Sequence, residues 1–205
     1  QNERLEKFAK VVSHDLRNPL NVVEGRLELA RAECDSDQLV EAESALERGQ
    51  ALVDDLLSLA REGKVVTEAE PVLLKPIVEQ CWASVETGDA TLNVDADQAV
   101  MADRSRLKQL LENLIRNAVD HVGPEVTVEV GRLADGFYVA DDGPGIVAND
   151  QETVFESGYS TVPDNTGFGL AIVDEIADAH GWDVTVTESA SGGARFEITG
   201  VQFDT

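Results

Sequence analysis

Residues 8–20 read F-A-K-V-V-S-H-D-L-R-N-P-L, and the first decision about the fold rests on how that stretch repeats. Leu5, Phe8, Val12, Leu16, Val23, Leu27 and Ala30 recur at helical spacing, which predicts a long amphipathic helix beginning near residue 3. At about 100° per residue these positions fall in one sector of the helix. His14 falls roughly opposite, with Asn18 beside it one turn later. A core histidine belongs on the apolar face, and this one does not. The ordinary reading of such a position is a solvated surface histidine. Its neighbours point elsewhere. Asp15 can hydrogen-bond the imidazole, fix its tautomer and leave the far nitrogen as a nucleophile. Pro19 removes one backbone hydrogen bond and predicts a kink just past the histidine.

Beyond that helix, E-C-D-S-D at residues 33–37 reads as a polar turn. A second periodic stretch follows through Leu39, Ala42, Leu46, Val53, Leu56 and Leu57. Two such helices form an antiparallel hairpin whose apolar stripe a single copy leaves exposed. Dimerisation into a four-helix bundle would bury it. The pattern breaks at R-E-G-K-V-V-T-E-A-E-P, residues 61–71. The expected organisation is a helical hairpin over 1–62, a hinge linker over 63–70 and a second domain over 71–205.

The second domain alternates helix and strand. Pro76 suits the first turn of a helix running to about Glu86. T-L-N-V-D and A-V-M-A-D read as short strands, and Arg104 to His121 as a strong helix. Two alternating runs form a hairpin around Asp135-Gly136. A Gly-rich region then leads to a helix over about 167–179, and S-A-S-G-G joins two closing strands. Helices grouped with a mostly antiparallel sheet give a two-layer α+β sandwich.

Four stretches of this domain carry chemistry. In L-E-N-L-I-R-N-A-V-D-H, residues 111–121, Asn113, Asn117 and His121 are four apart and share one helix face. Amide oxygens suit a hard cation such as Mg²⁺, which takes few protein ligands beside phosphate and water; a plain outer face of an amphipathic helix is the other reading. In V-A-D-D-G-P-G-I a strand ends at an acid, and Gly143 and Gly145 let the backbone turn close to a ligand. The acid, Asp141, could accept a hydrogen bond from an adenine amino group, or the stretch is a surface turn. V-F-E-S-G-Y-S-T contributes Phe155, Ser160 and Thr161, the last two as possible phosphate contacts. In N-T-G-F-G-L-A-I-V, Gly167 and Gly169 open a helix whose N–H groups can hold phosphate without a lysine.

The stretch around His14 resembles the phosphoacceptor box of sensor histidine kinases, S-H-[DE]-x-[RK]-[NT]-P-L. The later stretches resemble, in order, the nucleotide-binding boxes of the same family. That resemblance implies a histidine-kinase/gyrase-type ATPase domain with ATP and Mg²⁺ as cofactors. It gives His14 the phosphoacceptor role and Asp15 that of its acid partner. Asn18 matches a position that helps orient water when phosphate is removed from a partner regulator. Asn117 is assigned to Mg²⁺, Asn113 to the nucleotide site, and Asp141, Gly143 and Gly145 to the D-x-G-x-G motif. Phe155 matches an aromatic that anchors a lid over ATP. One position departs: many members have Lys where this chain has Asp120, and Arg116 or His121 would have to compensate. The implied activity is ATP-dependent autophosphorylation, then transfer to an aspartate of a response regulator receiver domain. A phosphatase-dominant form and a non-catalytic ATP-binding scaffold are the alternatives.

Composition bounds the partners. With 40 acidic against 16 basic residues the net charge is −24, which disfavours nucleic acid and anionic membranes. No apolar run reaches the ~20 residues that span a bilayer, so a membrane would be met only through segments outside this chain, and a cytoplasmic location is expected. Acidic residues are spread throughout, which favours adaptation to high salt, as in a halophilic archaeon, over docking to a basic partner. Cys34 and Cys81 lie in no metal or redox spacing and read as reduced thiols. His180, before Gly181, reads as a structural group at a helix end. If salt adaptation is right, circular dichroism should show secondary structure lost on dilution into low salt; a salt-indifferent spectrum would reject it.

Overall fold

The computed structural model describes residues 16, 19–32, 34, 36, 38–40, 42–43, 45–46, 49–50, 53, 66, 69–151, 153–156, 158–159 and 167–204. The chain divides into two units, one built on residues 1–62 and one on residues 63–162 and 167–205.

In the first unit, α1 covers residues 19–32, and the described residues between 38 and 53 are helical and form α2. The Ser36 carbonyl accepts the N–H of Leu39 at 2.9 Å and so opens α2. Arg31 pairs with Glu43, and Gln50 donates to Glu24 at 3.2 Å. These two cross-links join residues progressively farther from the turn, so the helices run antiparallel, as the two periodic stretches predict. Leu46 and Val53 are buried, whereas Leu16, Val22, Val23, Leu29 and Val40 are exposed. One copy of the hairpin therefore covers only part of its apolar surface. The kink expected at Pro19 involves residues 17 and 18, and these, like Leu56 and Leu57, lie outside the described residues.

The second unit begins with β1 (Glu70–Leu73), whose first residue is the last of the stretch read as linker, and continues with α3 (Leu74–Ser84), β2 (Thr91–Asp95) and β3 (Ala99–Ala102). Then come α4 (Arg104–Val122), β4 (Thr127–Arg132), β5 (Gly136–Asp141), α5 (Gly169–His180), β6 (Asp183–Glu188) and β7 (Ala194–Thr199). Five strands form one sheet in the order β2-β4-β5-β7-β6. Only the β2–β4 pair is parallel; the others are antiparallel. β1 pairs with β3 antiparallel in a separate ribbon, and Phe203 bridges to Val100 on its far side.

Period-two alternation decides which face of the sheet is covered. Val130 lies opposite Val139, Val139 opposite Phe196, and Phe137 opposite Ile198. All five are buried, and with Leu107, Leu110, Leu111, Leu114 and Ile115 of α4 they make the core. On the other face Tyr138 crosses over Gly131, where any Cβ would meet the ring. The Tyr138 hydroxyl donates to Glu129, and the Arg195 guanidinium sits 3.7 Å from the ring centre. One face is apolar and helix-covered; the other is polar.

The helix ends are specified locally. Asp103 caps α4, accepting from the N–H groups of Ser105 at 2.9 Å and Arg106 at 3.2 Å. Gly181 closes α5 at φ 72°, with its N–H bonded to the Ala177 and Asp178 carbonyls. Cys81 is buried, and burial pushes its thiol pKa up to about 12; Cys34 is exposed.

His180 ties these ends together. Its Nδ1 lies 2.7 Å from the Ile176 carbonyl, which makes Nδ1 the donor, and its Nε2 accepts the Asp103 N–H at 3.0 Å. The ring stacks on Trp182 with centroids 4.1 Å apart. Only the neutral imidazole fits both bonds. Burial lowers its pKa below the ordinary 6.5; nearby Arg106 lowers it too, while the Ile176 carbonyl and Asp103 act the other way. Because the folded value lies below the unfolded one, the unfolded chain binds the proton first as pH falls. This contribution to stability is complete above pH 6.5 and is lost progressively below it. Thermal melts should show a steeper loss of Tm below pH 6.5 in the wild type than in His180→Gln; parallel slopes would remove His180 from the pH response.

Candidate active site

The site is built from the end of β5. Phe137, Val139 and Asp141 alternate onto the same sheet face, so the strand that buries two apolar side chains must bury a carboxylate as well. Asp141 is 8% exposed. Its Oδ1 accepts the Gly143 N–H at 2.9 Å and the Ala194 N–H at 3.1 Å. Burial raises the pKa of Asp141, and the two backbone donors and nearby His121 pull it back. The adjacent Asp142 goes the other way: it is exposed, and the Thr127 N–H at 2.8 Å lowers its pKa. The pair D-D is thus split by strand parity into a desolvated acceptor and a solvated one.

Glycines surround Asp141 because nothing larger fits. A Cβ on Gly143 would lie 2.2 Å from Val122 Cγ2 and 3.0 Å from Asp141 Oδ1. A Cβ on Gly193 would lie 2.4 Å from the same oxygen. Gly145 turns at φ 71° and sits with its Cβ position 2.9 Å from the Gly192 carbonyl. The Asp141–Gly145 loop therefore rests on the β6–β7 turn and on the last turn of α4.

At the other end lies the start of α5. The helix begins at Gly169 behind Phe168, with no side-chain cap among the described residues. Backbone N–H groups in such a first turn suit an anion. Asn113 is buried, donates from Nδ2 to the Gln109 carbonyl at 2.9 Å, and places Oδ1 3.3 Å from where a Gly169 Cβ would be. Gly167 turns at φ 71°, packs against Gly158 and Tyr159, and accepts the Gly158 N–H at 3.0 Å. That bond joins Gly158 to Gly167. Phe155 lies edge-on to Phe196 with centroids 6.4 Å apart.

α4 joins the two ends. Asn113 meets Gly169, while His121 and Val122 meet the Asp141 corner, and Asn117, half-buried, lies between them. Eight residues from Asn113 to His121, at about 1.5 Å each, put roughly 12 Å between the corners. The fold thus brings Asn113, Asn117, His121, Asp141, Gly143, Gly145, Gly167 and Gly169 to one helix face and its flanking loops. His14, Asp15, Asn18, Ser160 and Thr161 lie outside the described residues.

Residues 102–203 match the family model described as histidine kinase-, DNA gyrase B- and HSP90-like ATPase. Residues 4–64 match the His Kinase A (phospho-acceptor) domain. The chain belongs to the histidine kinase family. It is 34% identical over 212 residues to the methanogenesis regulatory histidine kinase FilI of Methanothrix harundinacea, covering 94% of this chain and 24% of that protein. It is 33% identical over 207 residues to the sensor histidine kinase ZraS of Klebsiella oxytoca, covering 92% of this chain and 44% of that protein. Among solved structures, full-length ShkA in complex with AMPPNP superposes with a TM-score of 0.69 at 27% identity, over 97% of this chain and 46% of ShkA. The catalytic domain of the histidine kinase ThkA superposes at 0.55 and 26% identity, over 64% of this chain and 94% of that domain. The chain spans less than half the length of FilI and of ZraS. Among the described residues no helix is long and apolar enough to cross a membrane.

For a histidine kinase the residues present fit ATP: a buried carboxylate acceptor, a cradle in which added Cβ atoms would collide, and a helix that opens on glycine. Sequence reasoning missed the turn that completes this cradle. S-A-S-G-G reads as a simple connector, yet Gly193 packs on the Asp141 carboxylate and Ala194 supplies one of its two donors. The available signal was a Gly pair at a strand start, where close backbone approach is the usual reason for glycine.

Asp141→Asn should separate binding from folding. Asn Oδ1 can accept both backbone bonds, and the cost of burying a charge disappears, so Tm should hold or rise. ATP affinity should fall about tenfold or more, since the charged acceptor is lost. Nucleotide titration and a thermal melt on the same sample check this; unchanged ATP affinity would remove Asp141 from the site.

Proposed function

We propose that this chain is the catalytic core of a sensor histidine kinase that transfers the γ-phosphoryl group of ATP to its own His14 and then to an aspartate of a response regulator receiver domain. The observation that carries the proposal is the pairing of the Asp141 corner with the Gly169 corner along α4. An extended adenine nucleotide suits that span, with its base at the buried carboxylate and its phosphates at the helix start. Asp141 accepts from the adenine amino group. Gly167, Gly169 and the first N–H groups of α5 hold phosphate, with Ser160 and Thr161 as further contacts. Asn113 and Asn117 line the face between them.

Asn117 would hold Mg²⁺ through its amide oxygen, with phosphate oxygens and water completing the shell. When bound, the ion neutralises phosphate charge that this basic-poor site leaves uncompensated. His14 attacks the γ-phosphorus, the bond to the ADP oxygen breaks in line, and Asp15 orients the imidazole and takes up its proton. For this the hairpin of residues 1–62 and the ATP-binding domain must meet, so the linker from residue 63 up to the start of β1 at Glu70 is assigned as a hinge. The exposed Leu16, Val22, Val23 and Leu29 support homodimerisation through the first two helices into a four-helix bundle. A cytoplasmic location follows from the substrate, ATP, with any membrane anchor outside this chain.

Asp120 favours a second reading. It puts an exposed carboxylate where many members carry a lysine, on the same helix as the nucleotide-facing asparagines. A weakened kinase reaction would leave removal of phosphate from the regulator, through Asn18, as the dominant activity; rapid, Asn18-dependent loss of phosphate from a phosphorylated regulator with ADP present would identify it. The primary reading is tested with γ-labelled ATP. His14→Gln should reduce acid-labile, base-stable labelling to background, and persistent labelling in that variant would reject His14 as the acceptor.

A further inference from the structure

Three polar or charged side chains are buried among the described residues: Asn113, Asp141 and Ser189. The first two belong to the nucleotide site. Ser189 lies in the turn between β6 and β7, and its hydroxyl has two partners. It donates to the Asp141 carbonyl at 2.7 Å and accepts the Gly193 N–H at 2.9 Å. The same residue closes its own turn, with its N–H on the Gly193 carbonyl at 2.8 Å and its carbonyl accepting from Gly192 at 3.0 Å. One hydroxyl therefore links the main chain of the base-reading aspartate to the main chain just before Ala194. That matters because Ala194 N–H is one of the two donors on Asp141 Oδ1.

Packing adds a second constraint. Gly193 lets its backbone come up against the carboxylate, since a Cβ there would lie 2.4 Å from Oδ1 and 2.2 Å from the Asp141 carbonyl oxygen. The distance between the Asp141 main chain and this wall is set by the Ser189 bridge. We propose that Ser189 is a positioning residue that aims the Asp141 carboxylate and thereby sets the preference for adenine over guanine. The proposal rests on the assignment of Asp141 as the acceptor for the base. Adenine presents an amino donor where guanine presents a carbonyl oxygen, so a well-aimed carboxylate attracts one and repels the other. A carboxylate released from its bridge discriminates less in both directions.

The test is the ratio of ATP to GTP affinity, measured on the full chain by competition against a fluorescent ATP analogue. A merely structural loss lowers the folded fraction and weakens both nucleotides by the same factor, leaving the ratio unchanged. In Ser189→Ala the ratio should fall about tenfold, chiefly through weaker ATP binding. Ser189→Cys keeps the size with a weaker donor and should show a fall of about threefold. If the alanine variant does not fold, the cysteine variant carries the same measurement. An unchanged ratio in a folded variant overturns the positioning role. A wild-type chain that binds ATP no better than GTP overturns the reading of Asp141 itself, so the two failures are told apart.

Discussion

The buried carboxylate of Asp141 is the constraint around which the rest of the ATP-binding unit is arranged. A desolvated charge is costly, and here two backbone donors converging on one oxygen, from Gly143 and Ala194, offset part of that cost. Those donors come from segments more than fifty residues apart in the chain. Holding them together requires β5 and β7 to be neighbours in the sheet, which they are. It also requires glycine at Gly143 and Gly193, because a Cβ at either place would collide with its surroundings. Strand order and glycine placement are what that convergence of donors needs, and burial still raises the Asp141 pKa despite them.

α4 serves as the spine between that corner and the start of α5. Its apolar face, through Leu107, Leu110, Leu111, Leu114 and Ile115, is locked into the sheet core, which fixes the direction of its polar face. Asn113, Asn117 and His121 inherit their positions from that packing. The helix is in turn held at its start by Asp103, whose side chain caps it and whose N–H is bonded by His180 at the end of α5. The two helices that flank the nucleotide site are thus joined by a hydrogen bond remote from it.

Much of this was legible in the residues. The spacing of Asn113, Asn117 and His121 showed a shared helix face, because helical periodicity is local. The hairpin around Asp135-Gly136, the closing strands and the stop at Gly181 were readable for the same reason. β1 was not, since E-P-V-L is short, contains a proline and becomes a strand only by pairing with β3. The parallel pairing of β2 with β4 was equally out of reach, because nothing local distinguishes the edge strand's partner. Ser189 and Gly193 looked like turn residues; their contacts with Asp141 are long-range.

By itself the sequence determined most of the elements, the end of α5 at Gly181, the faces of α4 and the family, all of which rest on periodicity or on motifs read within a few residues. The tertiary structure alone decided which backbone donors meet Asp141, and that a serine in a distant turn is hydrogen-bonded to its carbonyl. It also decided that Asn113 lies against Gly169. The physical reason is the same in each case: burial and hydrogen-bond partnership depend on what the sheet and helices bring from elsewhere in the chain, and local sequence carries no record of that.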